Sequence, residues 1–163
     1  MNMRNILIIF LTVTAAYVCQ HIVAEFFPNW VQPNFLIIVI IFFNLFRGIR
    51  HSLLVAFMGG LMADSFGPHP FGLNLTAYLV CAYATTSLKM YIYETGSAGS
   101  RLLMVFVITV LYVMLQYILR MMYVQVGLWS AVQRVLIPQV LSTVIISDYL
   151  FRKLKQCALR LFA

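Results

Sequence analysis

Long apolar runs, interrupted by short breaks of which only every second one carries Lys or Arg, constrain this chain more than any other feature. The breaks fall at Pro28 to Pro33, Arg47 to His51, Asp64 to Gly72, Lys89 to Arg101 and Tyr123 to Ser130. They leave six hydrophobic segments, roughly 6–27, 33–46, 52–66, 73–88, 102–122 and 131–151. With 63% hydrophobic and 9% charged residues in 163, the runs leave too little polar surface for a water-soluble domain. Inside a bilayer each backbone polar group must be satisfied within the protein, which restricts such runs to helices or a closed barrel. Runs of this length without alternation read as helices. The expected fold is all-α and polytopic: one integral membrane domain over 1–163 with six transmembrane helices.

Full crossings need about 20 apolar residues. The first, fifth and sixth segments reach that length. The second, third and fourth are short, bounded by Pro or Gly, and require tilt, local thinning or burial inside the protein. The first segment follows Arg4 and contains Thr14-Ala15-Ala16, a poor cleavage site; it reads as an uncleaved helix rather than a signal peptide.

The charge pattern orients the spans. Arg4, Arg47 and Arg50, Lys89 and Arg101, and then Arg152, Lys153, Lys155 and Arg160 fall in the termini and alternate breaks, all on one side, while the breaks at 28–33, 64–72 and 123–130 contain no Lys or Arg. The positive-inside rule then places both termini in the cytoplasm. The net charge of +7 is scattered over segment ends, so anionic lipid and orientation explain it and nucleic acid does not. Cys19, Cys81 and Cys157 are far apart and read as packing residues.

Asp64 is one of four acidic residues, set where an apolar segment ends, and a carboxylate there calls for a partner. In the expected topology Glu25, Asp64, Arg120 and Arg134 share the outer rim, so Asp64 is expected to pair with Arg120 or Arg134. The alternative is that the arginines snorkel to the headgroups. Arg134, Pro138, Leu141, Ile145 and Asp148 share one helical stripe, and Pro138 is expected to kink it. Arg134 and Asp148 are roughly 20 Å apart; Asp148 therefore needs a cytoplasmic-side partner from Arg47, Arg50 or Arg152. Ala56, Gly59, Gly60 and Ala63 form a small-residue face for close helix packing, within the chain first and in a homodimer second. Trp30 and Trp129 read as interface anchors.

Catalytic signatures are lacking. His21, His51 and His69 do not converge, there is no HExxH, and no nucleophile motif of the GxSG kind occurs. Asp64 and Asp148 lie on opposite sides, unlike an intramembrane aspartyl pair. No metal, no cofactor and no enzymatic activity are expected.

Gln32-Pro33-Asn34-Phe35, then Gly59-Gly60-Leu61-Met62-Ala63-Asp64, then Pro70-Phe71-Gly72-Leu73 resemble the rod shape-determining MreD family. That family has a Pro-Asn leading into its second span, a small-residue helix ending in G-x-x-x-D, and a Gly opening the fourth. Leu136-Ile137-Pro138 and Leu150-Phe151-Arg152-Lys153 are similar to its C-terminal end. The resemblance implies a bacterial inner-membrane scaffold of the cell-elongation (Rod) machinery. Its partner would be MreC, a single-span periplasmic protein. Through it the scaffold would reach MreB, a RodA-type glycosyltransferase and a class B penicillin-binding transpeptidase. It further implies a fold similar to the S-components of energy-coupling-factor transporters, which keeps a substrate-binding subunit of a vitamin transporter as the alternative.

Overall fold

The computed structural model describes residues 3–26, 33–67, 71–92, 98–121 and 137–162, and every described element is a helix. We number them α1 (Met3–Phe26), α2 (Phe35–Arg47), α3 (Ile49–Phe66), α4 (Leu73–Ile92), α5 (Ala98–Met121) and α6 (Ile137–Phe162). Two stretches, Ile6–Phe26 and Gly99–Leu119, are long and apolar enough to cross a bilayer by themselves.

The short second segment is the centre of the molecule. Its thirteen residues, FLIIVIIFFNLFR, have no polar face, and eleven of them are buried. A helix that is apolar all round belongs inside a protein or in lipid. At 1.5 Å per residue α2 extends only about 20 Å, against about 30 Å of hydrocarbon. Burial resolves the shortfall: α2 packs against all five other described helices. Leu36, Ile37, Ile38, Ile40 and Ile41 are fully enclosed there, joined by Val13, Val55, Tyr78, Met104 and Ile108 from its neighbours.

Glycine sets two of the geometries. A single residue, Gly48 at φ 86°, separates α2 from α3, so the expected break at Arg47 to His51 shrinks to a sharp reversal that an L side chain resists. Gly60 lets α3 approach α4 so closely that a Cβ there would sit 2.6 Å from Leu75 Cα. Gly59, on the adjoining face, looks onto Leu36 of α2 and Val13 of α1, with Leu36 Cδ2 3.1 Å from the Cβ position. Both glycines thus face neighbours within the chain.

Several boundaries differ from the sequence expectation. α4 continues past Lys89 to Ile92, and α5 begins at Ala98. α6 runs to Phe162, well beyond residue 151, because leaving an apolar environment does not end a helix rich in Leu, Lys, Arg and Gln. Pro138 is the second described residue of α6, and the turn before it, where the expected kink would show, lies outside the described residues. The stripe of Leu141 and Ile145 is exposed, whereas Val140, Thr143, Ser147 and Phe151 turn inward.

Candidate functional site: a polar end and a basic end

The antiparallel packing gathers the start of α2, the end of α3 and the starts of α4 and α6 at one end of the bundle. Each helix start leaves backbone N–H groups without partners, and buried side chains meet them. Asn34 caps α2: its Oδ1 accepts from Ile37 N at 3.2 Å, as an N-cap residue should. Its own N–H donates to Thr143 Oγ1 of α6 at 3.1 Å, and the Thr143 hydroxyl donates to Gln139 O at 2.7 Å. Pro33 precedes it and is buried.

α4 lacks a capping side chain of its own because the residue before it is Gly72, at φ 101°. Asp64, in the last turn of α3, takes over the task from across the connection. Its Oδ2 accepts from Gly72 N at 2.9 Å and Leu75 N at 3.0 Å, and its Oδ1 from Asn74 N at 3.0 Å. Two of these are the second and third N–H groups of α4, the pair an N-cap oxygen would satisfy. The carboxylate also lies where the positive end of the α4 dipole favours a negative charge. Asp64 is 5% exposed.

A chain of polar side chains extends inward. The Tyr78 hydroxyl accepts from Asn34 Nδ2 at 3.1 Å and lies 3.3 Å from Oδ1. The Tyr112 hydroxyl of α5 is 3.2 Å from both the Tyr78 hydroxyl and Asn74 Oδ1; with one proton it donates to one of them at a time. Gln116 donates to Asn74 Oδ1 and, at 2.7 Å, to the Tyr112 hydroxyl. The two tyrosine rings stack at 4.9 Å and 7°. Four helices, α2 to α5, are tied through this chain, and Thr143 adds α6.

The opposite end is basic. Lys89 of α4 reaches the end of α2, donating to Leu45 O at 3.1 Å and Asn44 O at 3.4 Å. It satisfies terminal carbonyls at the negative end of a helix dipole. Asn44 donates to Ala82 O and Thr86 Oγ1, each at 2.9 Å, and Ser52 of α3 to Ile40 O at 3.0 Å. Arg101 lies 5.9 Å from the centre of the Phe151 ring, which packs on Phe42. Asp148 pairs with Arg152 at 2.6 Å, one turn along α6.

The residues singled out from the sequence therefore separate. Pro33, Asn34, Asp64 and Gly72 meet at the polar end; Gly59 and Gly60 hold the α3 packing; Asp148 is remote from them, with Arg152 as its partner among the three candidates. The Arg120 side chain and the whole of Arg134 lie outside the described residues, as do Trp30, Trp129 and the side chain of Cys157. The partners shown for Asp64 are backbone N–H groups. Asn74, Tyr78, Tyr112, Gln116 and Lys89 escape a sequence reading, because Tyr inside an apolar run counts as apolar and a lysine near a break counts as solvated. No group of three or more His, Cys, Asp or Glu suited to a metal occurs among the described residues.

Comparisons with curated proteins and with solved structures returned no match, so the expected likeness to S-components rests on the family resemblance. The model of the rod shape-determining protein MreD family matches residues 2–154, nearly the whole sequence. The chain belongs to that family, whose members are membrane proteins of the rod shape-determining system.

Proposed function

We propose that this protein is a non-catalytic scaffold of the cell-elongation (Rod) complex in the bacterial inner membrane. It crosses the membrane six times with both termini in the cytoplasm. It binds MreC and, through it, helps couple MreB filaments to a RodA-type glycosyltransferase and a class B penicillin-binding transpeptidase. The family match over residues 2–154 is the observation that carries this reading. The orientation is supported by the segregation of Lys89, Arg101, Arg152 and Lys153 from the polar end held by Asn34 and Asp64. A scaffolding role is supported by where the buried polar groups go. Asn34, Asn44, Asp64 and Lys89 each satisfy helix ends or backbone carbonyls, which is architecture rather than chemistry. The vitamin-transporter alternative gains nothing from the family match.

Depletion in a rod-shaped host tests the reading: cells should round up and widen as the protein is lost, and unchanged rods refute it. MreC should co-purify in a mild detergent that preserves the helical fold.

A further inference from the structure

Helix α1 contributes only one face to the bundle. Ile9, Val13 and Tyr17 are buried, and α1 packs on α2 and α3. The opposite face carries Leu7, Leu11, Thr14, Val18, His21 and Glu25. These are spaced 4-3-4-3-4, the spacing of a left-handed helix–helix seam. At 100° per residue they fall within about 40° of the stripe axis. Leu7, Leu11 and Val18 are 69%, 65% and 48% exposed, and His21 and Glu25 are exposed as well.

The far end of this stripe is poorly suited to lipid. Glu25 has no ion-pair partner among the described residues, and it lies in the last turn of α1, where the helix dipole disfavours an anion. His21 touches Tyr17, ring centres 4.5 Å apart, and Tyr17 in turn neighbours Phe66 near the end of α3. His21 and Glu25 therefore stand at the polar end of the bundle, facing away from it. Of the other long exposed apolar faces, that of Leu103 and Phe106 on α5 shows no such acid, and that of Leu141 and Ile145 on α6 carries Asp148, which is already paired with Arg152.

We propose that this α1 face is the seat of a single transmembrane helix of another protein. That helix would present a cationic or hydrogen-bond-donating side chain to Glu25 and His21. An apolar heptad seam gives the packing, and the carboxylate at one end fixes orientation and register. On the function proposed above, the occupant is the transmembrane helix of MreC.

The test is photocrosslinking in membranes that hold the full chain and MreC, with benzoylphenylalanine at Leu11, Val18, Phe106 or Ile145. Adducts to MreC at Leu11 and Val18, and none at Phe106 and Ile145, are expected. Glu25→Lys, at an exposed position, should lower the co-purified MreC about tenfold, the loss of one favourable pair, and Glu25→Gln should lower it less. MreC adducts confined to Phe106 or Ile145 overturn this assignment and leave the scaffold reading standing. An adduct between two copies of the chain at Leu11 or Val18 overturns it too. No MreC adduct at any position, together with no co-purification, overturns the scaffold reading itself.

Discussion

Replacing Asp64 separates two accounts of why a carboxylate sits at the end of α3. As the cap of α4, its value lies in acceptor oxygens; as half of an ion pair with an arginine, it lies in charge. Asp64→Ala strands the three N–H groups of Gly72, Asn74 and Leu75. The Asn74 donor is buried, and leaving it unpaired costs about 2 kcal/mol. The other two are partly buried, can recover water, and cost about 0.5–1 kcal/mol each. The expected loss is therefore about 3–4 kcal/mol. Asp64→Asn keeps one acceptor oxygen, and Asn ranks with Asp as a cap while Ala ranks far below. It should lose only about 1–2 kcal/mol. The measurement is reversible unfolding in mixed micelles by SDS titration, followed by circular dichroism. The decisive quantity is the gap between the two variants. If Asn and Ala are equally destabilising, charge is what matters and the capping argument fails.

Three further outcomes follow from the packing. Gly60→Ala puts a Cβ against the Leu75 backbone and should destabilise by about 1–3 kcal/mol. Gly59→Ala meets only the flexible end of Leu36 and should cost less than about 1 kcal/mol; equal effects in the same SDS titration would refute the close α3–α4 approach. A double-mutant cycle of Tyr78→Phe and Tyr112→Phe should show a coupling of about 0.5–1.5 kcal/mol, and strict additivity would mean that their hydroxyls do not interact. Lys89→Met should destabilise by about 1–2 kcal/mol by stranding the Leu45 carbonyl and removing a cation from the end of α2, while Asn44 O keeps the Gly48 N–H, and proteolysis at the Gly48 turn should speed up in step.

The sequence made the helical class, the Pro33–Asn34 start, the Asp64 end and the small-residue face legible because each is a local signal. A proline, a capping Asn and a run of small side chains mean nearly the same thing in any context. What escaped it depends on neighbours brought close by the fold. Nothing local says that the oxygens of Asp64 point at backbone donors eight to eleven residues later, since that follows from how closely Gly60 lets α4 approach. Nothing local distinguishes Tyr78 and Tyr112, which join hydroxyls in the core, from Tyr83 and Tyr91, which are exposed. Lys89 resembled any basic residue at a break, yet it reaches back to carbonyls some forty-five residues earlier. The end of α6 was misplaced because hydropathy records what surrounds a segment, not whether it stays helical.

The central position of α2 bears on biogenesis. This helix leaves the ribosome second, but Tyr78, Lys89 and Thr143, the groups that satisfy its two ends, are made later. Until they arrive, a helix about 20 Å long faces a bilayer it cannot span, with Asn34 and the last carbonyls uncompensated. A nascent chain ending after α3 is thus a poor membrane protein, and one ending after α4 has gained partners for both termini of α2. On the six-crossing topology proposed above, commitment of α2 to the membrane interior is expected to follow insertion, timed by synthesis of the fourth helix and completed by the sixth. Truncations that stop before α4 should be favoured substrates for membrane quality-control proteases.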